Sequence, residues 1–201
     1  EDEIMAQNLY LPLEKRVESV EHLKNISGWK GFFAYCINAD PMELLGNIKK
    51  IHYHTCTSNI VGGCHINFWS GLGAYTTARG FDIATHYQRS GIRILTDPSN
   101  KYSISWPVLV KLGCMAGIDS MHVGMLGGYY PEGESEEETL EAISICEKYD
   151  VIPSLSCGMN PVLAREIKER IGNNFMASVG GWLHTGDSLI KKVKEMRESL
   201  D

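Results

Sequence analysis

The chain repeats one alternation along its length: a short apolar run, a turn, then an amphipathic helical stretch. Such a pattern builds a parallel sheet, because each helix carries the chain back to the edge where the next strand must start. "GFFAYCIN" reads as a buried strand, and "DPMELLGNIKKI" as a helix opened by Asp40 with Pro41 at its first position. "GGCHINFW" is the next strand, with a helix through "AYTTARGFDIATHYQ". "GIRILTD" is a strand and "ISWPVLVKLGCMAG" a helix with Pro107 in its first turn. "IDSMHVG" leads to "ESEEETLEAISICEKYD", whose acids gather at the end the helix dipole favours. "VIPSLSCG" precedes "NPVLAREIKERIG", capped by Asn160 with Pro161 next. "NFMASVGG" is the last strand and "DSLIKKVKEMRESL" the closing helix.

Ahead of these stands "LPLEKRVESVEHLKNISG", a surface helix with Val17, Val20 and Leu23 on one face and a stop at Gly28. The count is six strand-then-helix units after one opening helix, with no strand before it. The architecture is α/β, and the choice lies between a doubly wound sheet and a (β/α)8 TIM-type barrel. A complete barrel needs eight units in ~250 residues. The count therefore predicts most of a barrel, one domain over residues 1–201, with its first strands missing.

The net charge of −6 excludes a dedicated nucleic-acid binder, which needs a basic face. No apolar run reaches the ~18 residues of a membrane span, and no signal-peptide pattern leads the sequence. The six cysteines (Cys36, Cys56, Cys64, Cys114, Cys146 and Cys157) include no C-x-x-C pair. Set mostly within apolar stretches, they read as reduced thiols rather than zinc ligands, which predicts a cytoplasmic protein.

Parallel α/β folds place their sites at the carboxyl ends of the strands. Four segments fall there: Glu1 to Glu3, "MHVGMLGG", "SLSCGMN" and "SVGGWLHTGD". The last two are glycine-bearing turns whose backbone N–H groups can meet an anion, although plain strand-to-helix turns carry the same pattern. His122 ends a strand just before a glycine-rich turn, in a structural or a catalytic role. His52 and His54 follow a helix and read as surface residues, His65 reads as core, and His184 lies beside a candidate anion loop. The acids Glu1, Asp2 and Glu3 suit a hard cation with oxygen ligands.

At this point the residues reach a known family. "DEIMAQNLYLPLEKRV" resembles the segment after the metal-binding lysine in the large chain of RuBisCO and the RuBisCO-like proteins, where the motif is Lys-Asp-Asp-Glu followed by a "P-x-x-x-R" helix start. In that register Glu1 replaces the first aspartate, and Asp2 and Glu3 match the two metal-binding carboxylates. The lysine, carbamylated in RuBisCO, would stand immediately before residue 1. "FAYCINAD" is similar to the family's "Y-x-x-N-x-T" strand, with Asn38 in register. "VLVKLGCMAGIDSMHVGM" is similar to "VLAKALRLSGGDHIHSGT" and puts His122 on the substrate-phosphate histidine. "IPSLSCG" resembles "LPVASGG", which implies substrate contact for Ser156 and phosphate binding for Gly158. "SVGG" resembles the "FGGG" phosphate loop, with Gly180 and Gly181 retained, and His184 falls near the family's "GHP".

Two departures bear on the reaction. Tyr129 stands where RuBisCO's mobile loop carries its catalytic lysine, and a neutral tyrosine cannot supply that fixed charge. Asp97 and Pro98 occupy the positions of the His-Arg pair in the family's "H-R-A-M-H" after strand five, with several residues lacking. The resemblance implies a Mg2+-dependent lyase or isomerase of the RuBisCO-like type, acting on a phosphorylated keto-sugar-like compound through an enediolate. It also implies a homodimer or larger homo-oligomer. An authentic carboxylase and a non-catalytic ligand-binding barrel are the alternatives.

Overall fold

The computed structural model describes residues 4–6, 12–27, 32–36, 41–58, 62–89, 91–128, 134–186 and 188–201. It divides into two compact units, the first Glu1–Ser90 with Gly113–Asp119, the second Gly91–Leu112 with Ser120–Asp201.

In the first unit, β1 (Ile4–Ala6), β2 (Phe32–Cys36), β3 (Gly62–Asn67) and β4 (Ala84–Gln88) lie side by side in chain order, all parallel. Ile4 stands opposite Phe32, Phe33 opposite Gly62, and His65 opposite His86. The connecting helices are α1 (Leu13–Ser27), α2 (Pro41–Ser58) and α3 (Leu72–Gly80). Successive strand residues point to opposite faces. Cys64, Ile66, Thr85 and Tyr87 are buried, in a core shared with Tyr75 and Ala78 of α3. The Tyr75 ring stacks on Tyr87 at 5.1 Å, and its hydroxyl donates to the Ile66 carbonyl at 2.9 Å. Burial pushes both phenol pKa values up, so the hydroxyls stay neutral donors. His65, Asn67, His86 and Gln88 fall on the opposite face.

Two sequence expectations are corrected here. A strand, β1, does precede the opening helix. And "AYTTARGFDIATHYQ" is not one helix: α3 ends at Gly80, the chain turns at Asp82 with φ 55°, and Ala84–Gln88 is β4. Its burial alternates with period two, since Thr85 and Tyr87 are buried between half-buried Ala84, His86 and Gln88. "GIRILTD", expected as that strand, holds the short helix α4 (Arg93–Thr96): Ile92 is buried whereas Ile94 faces solvent.

In the second unit, β5 (Ser120–Gly124), β6 (Ile152–Leu155) and β7 (Met176–Ala177) are parallel neighbours in that order. Around them run α5 (Trp106–Met115, whose last turn counts with the first unit), α6 (Glu136–Lys148), α7 (Pro161–Ile171) and α8 (Leu189–Leu200). Trp106 Nε1 donates to the Val123 carbonyl at 3.0 Å, which ties the start of α5 to β5. α6 opens with a reciprocal cap: Ser135 Oγ accepts from Glu138 N, and the Glu138 carboxylate accepts from Ser135 N. Asn160 caps α7, its Oδ1 accepting from Val162 N and Leu163 N. No helix among the described residues is long and apolar enough to cross a membrane.

Candidate functional site

β5 and β6 shift register between His122 and Gly124. Gly124 has φ 134°, and a Cβ there would stand 2.8 Å from Thr139 Oγ1, so glycine alone fits this irregularity. The strand ends on either side of it stay joined, since Ser156 N donates to the Gly124 carbonyl at 3.1 Å. This brings two expected site residues together: His122 Nε2 and Ser156 Oγ are hydrogen-bonded. Both are half-buried. One strand further, Ser154 Oγ and Ser178 Oγ bond at 2.7 Å, and Ser178 N donates to the Leu155 carbonyl at 2.9 Å. Polar side chains thus cross-link β5, β6 and β7 at their carboxyl ends.

Beyond Ser156 the chain turns sharply. Cys157 has φ 78° and Gly158 φ 91°, and the Gly158 carbonyl accepts from Asn160 Nδ2 at 3.1 Å. A non-glycine residue in the left-handed region stores backbone strain. The turn is braced from β5 as well: a Cβ on Gly128 would lie 2.6 Å from Met125 Cγ and 2.7 Å from the Cys157 carbonyl. Gly158 is exposed.

Gly180 and Gly181 lie on the loop after β7, exposed, and a Cβ on either would meet nothing within 4 Å. Their backbone is open to an approaching anion. The loop is held by a residue that the sequence reading passed over. Lys192 of α8 donates to the Trp182 carbonyl and, at 2.8 Å, to Thr185 Oγ1, with its ammonium 4.8 Å from the Trp182 ring centroid. Nothing but its place in a basic helix marks it in the sequence. His184 is exposed, and its backbone N–H closes the turn onto the Gly180 carbonyl at 3.3 Å.

Asp2 and Glu3 lie outside the described residues, as do Asn38 and Tyr129. Two carboxylates suit a hard cation by their chemistry. Among the described residues no group of three or more His, Cys, Asp or Glu could hold a metal ion.

The placement of β4 corrects the sequence alignment of the "H-R-A-M-H" segment. The residues at the end of that strand are Gln88 and Arg89, not Asp97 and Pro98. Arg89, directly after the strand, is buried. Asp97 instead ends α4 and accepts from Ser99 N and Ser99 Oγ, bonds that hold its carboxyl below the usual range. On β3, Asn67 Oδ1 accepts from Trp69 N at 3.0 Å, while Asn67 Nδ2 donates to Gln88 Oε1. Beside them the His65 and His86 rings meet edge-on, centroids 4.7 Å apart, and burial pulls the His65 pKa down to about 4.

The H-x-H pair divides across α2. His54 is buried rather than on the surface, with Nδ1 3.3 Å from Ser58 Oγ and 3.5 Å from Glu21 Oε1. Burial lowers its pKa, and the Glu21 charge opposes that shift. His52 is half-buried against Phe81, with ring centroids 5.6 Å apart.

No protein-family model matches the chain. It is 27% identical over 233 residues to a ribulose bisphosphate carboxylase of Dechloromonas aromatica, an alignment covering 100% of this chain and 49% of the relative. The structure is similar to a RuBisCO-like protein from Burkholderia fungorum, with TM-score 0.77 and 21% identity, covering 98% of this chain and 50% of that one. It is also similar to the octameric ribulose-1,5-bisphosphate carboxylase/oxygenase of Pyrococcus horikoshii, with TM-score 0.82 and 17% identity, covering 99% and 50%. The chain therefore spans about half the length of the curated relatives it matches. These likenesses relate it to the RuBisCO large-chain superfamily, and its parallel α/β fold is that of their barrel.

Proposed function

We propose that this relative of RuBisCO is the barrel domain of a RuBisCO-like enzyme, a lyase or isomerase that enolises, isomerises or decarboxylates a phosphorylated keto-sugar-like compound. The observation that carries the reading is the His122–Ser156 hydrogen bond, held between neighbouring strand ends with glycine turns beyond. His122 is the catalytic candidate, contacting the substrate on its phosphate side, and Ser156 orients it and contacts substrate. Gly158, Gly180 and Gly181 offer backbone N–H groups to the phosphate. Asp2 and Glu3, with a carbamylated lysine just upstream, would hold Mg2+. When bound, such a cation supplies positive charge where a carbonyl oxygen gains electron density as the neighbouring C–H is deprotonated. We place the enzyme in the cytoplasm as a homo-oligomer, in keeping with the octameric neighbour.

The test is exchange of a substrate C–H proton in D2O, followed by NMR over a panel of phosphorylated keto-sugars with and without Mg2+. Magnesium-dependent washout supports the reading. A protein that binds the compounds yet exchanges nothing is the ligand-binding barrel instead. Fixation of labelled CO2 into product would make it an authentic carboxylase, a reading that buried Arg89 at the end of β4 leaves chemically open.

A further inference from the structure

In the second unit a surface groove of about 280 Å3 is lined by residues of α5 and α6 and the turn ahead of α5. A surface helix normally turns a polar face to water. α5 does not: Trp106, Leu109 and Val110 are buried, while Val108 and Leu112, one turn apart, are 48% and 38% exposed. Ile104, a turn earlier, is 39% exposed, and Leu140 on α6 is 38% exposed. The groove itself is lined by Pro107 and Val108 on one side and Ile145 on the other, and exposed apolar side chains around such a groove mark an interaction surface.

The charges on the walls say what fits it. Lys111 lines the groove from α5, and Glu138 and Glu141 line it from α6. Neither Lys111 nor Glu141 has a side-chain hydrogen bond or ion pair among the described residues. One wall is therefore cationic and the other anionic, each with an unmatched charge.

We propose that this face joins two copies of the chain about a two-fold axis through the groove, with α5 of each copy lying over α6 of the other. A two-fold operation exchanges the walls, so Lys111 of each copy meets the other copy's Glu141, and the pair forms twice. Val108 of each copy then covers the other copy's Ile145. Burial of these apolar side chains drives association, and the crossed charges fix its register. The inference rests on the homo-oligomer reading above and names the surface that makes the contact.

Sedimentation equilibrium of the full chain tests it, using wild type, Lys111→Glu, Glu141→Lys and the double reversal. Both substituted positions lie on the surface, and circular dichroism checks that each variant is folded. Each single reversal places like charges opposite one another and is expected to weaken self-association about tenfold or more. The double reversal restores it to within a few-fold of wild type. Singles that associate as wild type does overturn this face while leaving the homo-oligomer reading in place. So do weakened singles that the double fails to rescue. A wild type that stays monomeric at every concentration overturns both.

Discussion

Ser156 Oγ and His122 Nε2 share a hydrogen bond across the ends of two adjacent strands, and Ser156 is held there by its own backbone bond to Gly124. Ser156→Ala removes the hydroxyl and leaves that backbone bond intact. Losing a bond to a reacting group costs about 1–3 kcal/mol, or roughly one to two powers of ten in rate. Proton washout should therefore slow by that factor while the urea midpoint barely moves, because Ser156 is half-buried. An unchanged exchange rate would remove Ser156 from the site.

Gly128→Ala should disturb the same place from a distance. The added Cβ meets the Cys157 backbone carbonyl at 2.7 Å, which cannot rotate away as a side chain can. Overpacking of this kind costs about 1–3 kcal/mol. Urea denaturation should show the loss, and exchange should fall too, because the turn that yields also carries Ser156. A variant as stable and as active as wild type would show that the two turns are not braced together.

Asp119 should matter for stability rather than chemistry. Its Oδ2 accepts from Thr85 N at 2.7 Å, and Oδ1 accepts from Arg79 Nη1 at 3.0 Å on the exposed side. Asp119→Ala strands a buried strand N–H, a loss of about 1–3 kcal/mol. Asp119→Asn keeps an acceptor and should recover most of it, since an exposed ion pair contributes only about 0–1 kcal/mol. Chemical denaturation of both variants distinguishes the two contributions, and equal losses would refute the assignment to Thr85.

His65 makes stability depend on pH. Its folded pKa lies near 4, below the unfolded value of about 6.5. Between those values the unfolded chain holds a proton that the folded chain lacks, so stability falls as pH drops through this window. Below about 4 both states are protonated and this contribution flattens. His65→Gln should make the urea midpoint less sensitive between pH 6.5 and 4. An identical slope in wild type and variant would show that His65 is not the group responsible.

The sequence made the second unit more legible than the first. The acids that open α6 and the Asn160 cap of α7 marked two helix starts, and the short runs between them marked β5 and β6, so His122 fell within β5 and Ser156 directly after β6. β4 was hidden because its half-buried face carries His86 and Gln88, which read as helix surface. That same misreading assigned the residues after the strand to Asp97 and Pro98 and concealed Arg89. The contact of His122 with Ser156 and the Lys192 brace were not legible, since both join residues brought together only by the fold.

Asn67 has an effect beyond the turn it caps. Because its carbonyl oxygen is committed to Trp69 N, only its NH2 can face Gln88, and this obliges Gln88 to turn its own oxygen inward and its NH2 away. A backbone N–H in one loop thereby sets the sense of an amide on the next strand. Asn67→Asp would keep the cap, offer Gln88 an acceptor in place of a donor, and invert what that strand end presents. One isosteric substitution outside the reacting centre would then convert a donor site into an acceptor site, a route by which preference for a substrate could change without disturbing the barrel.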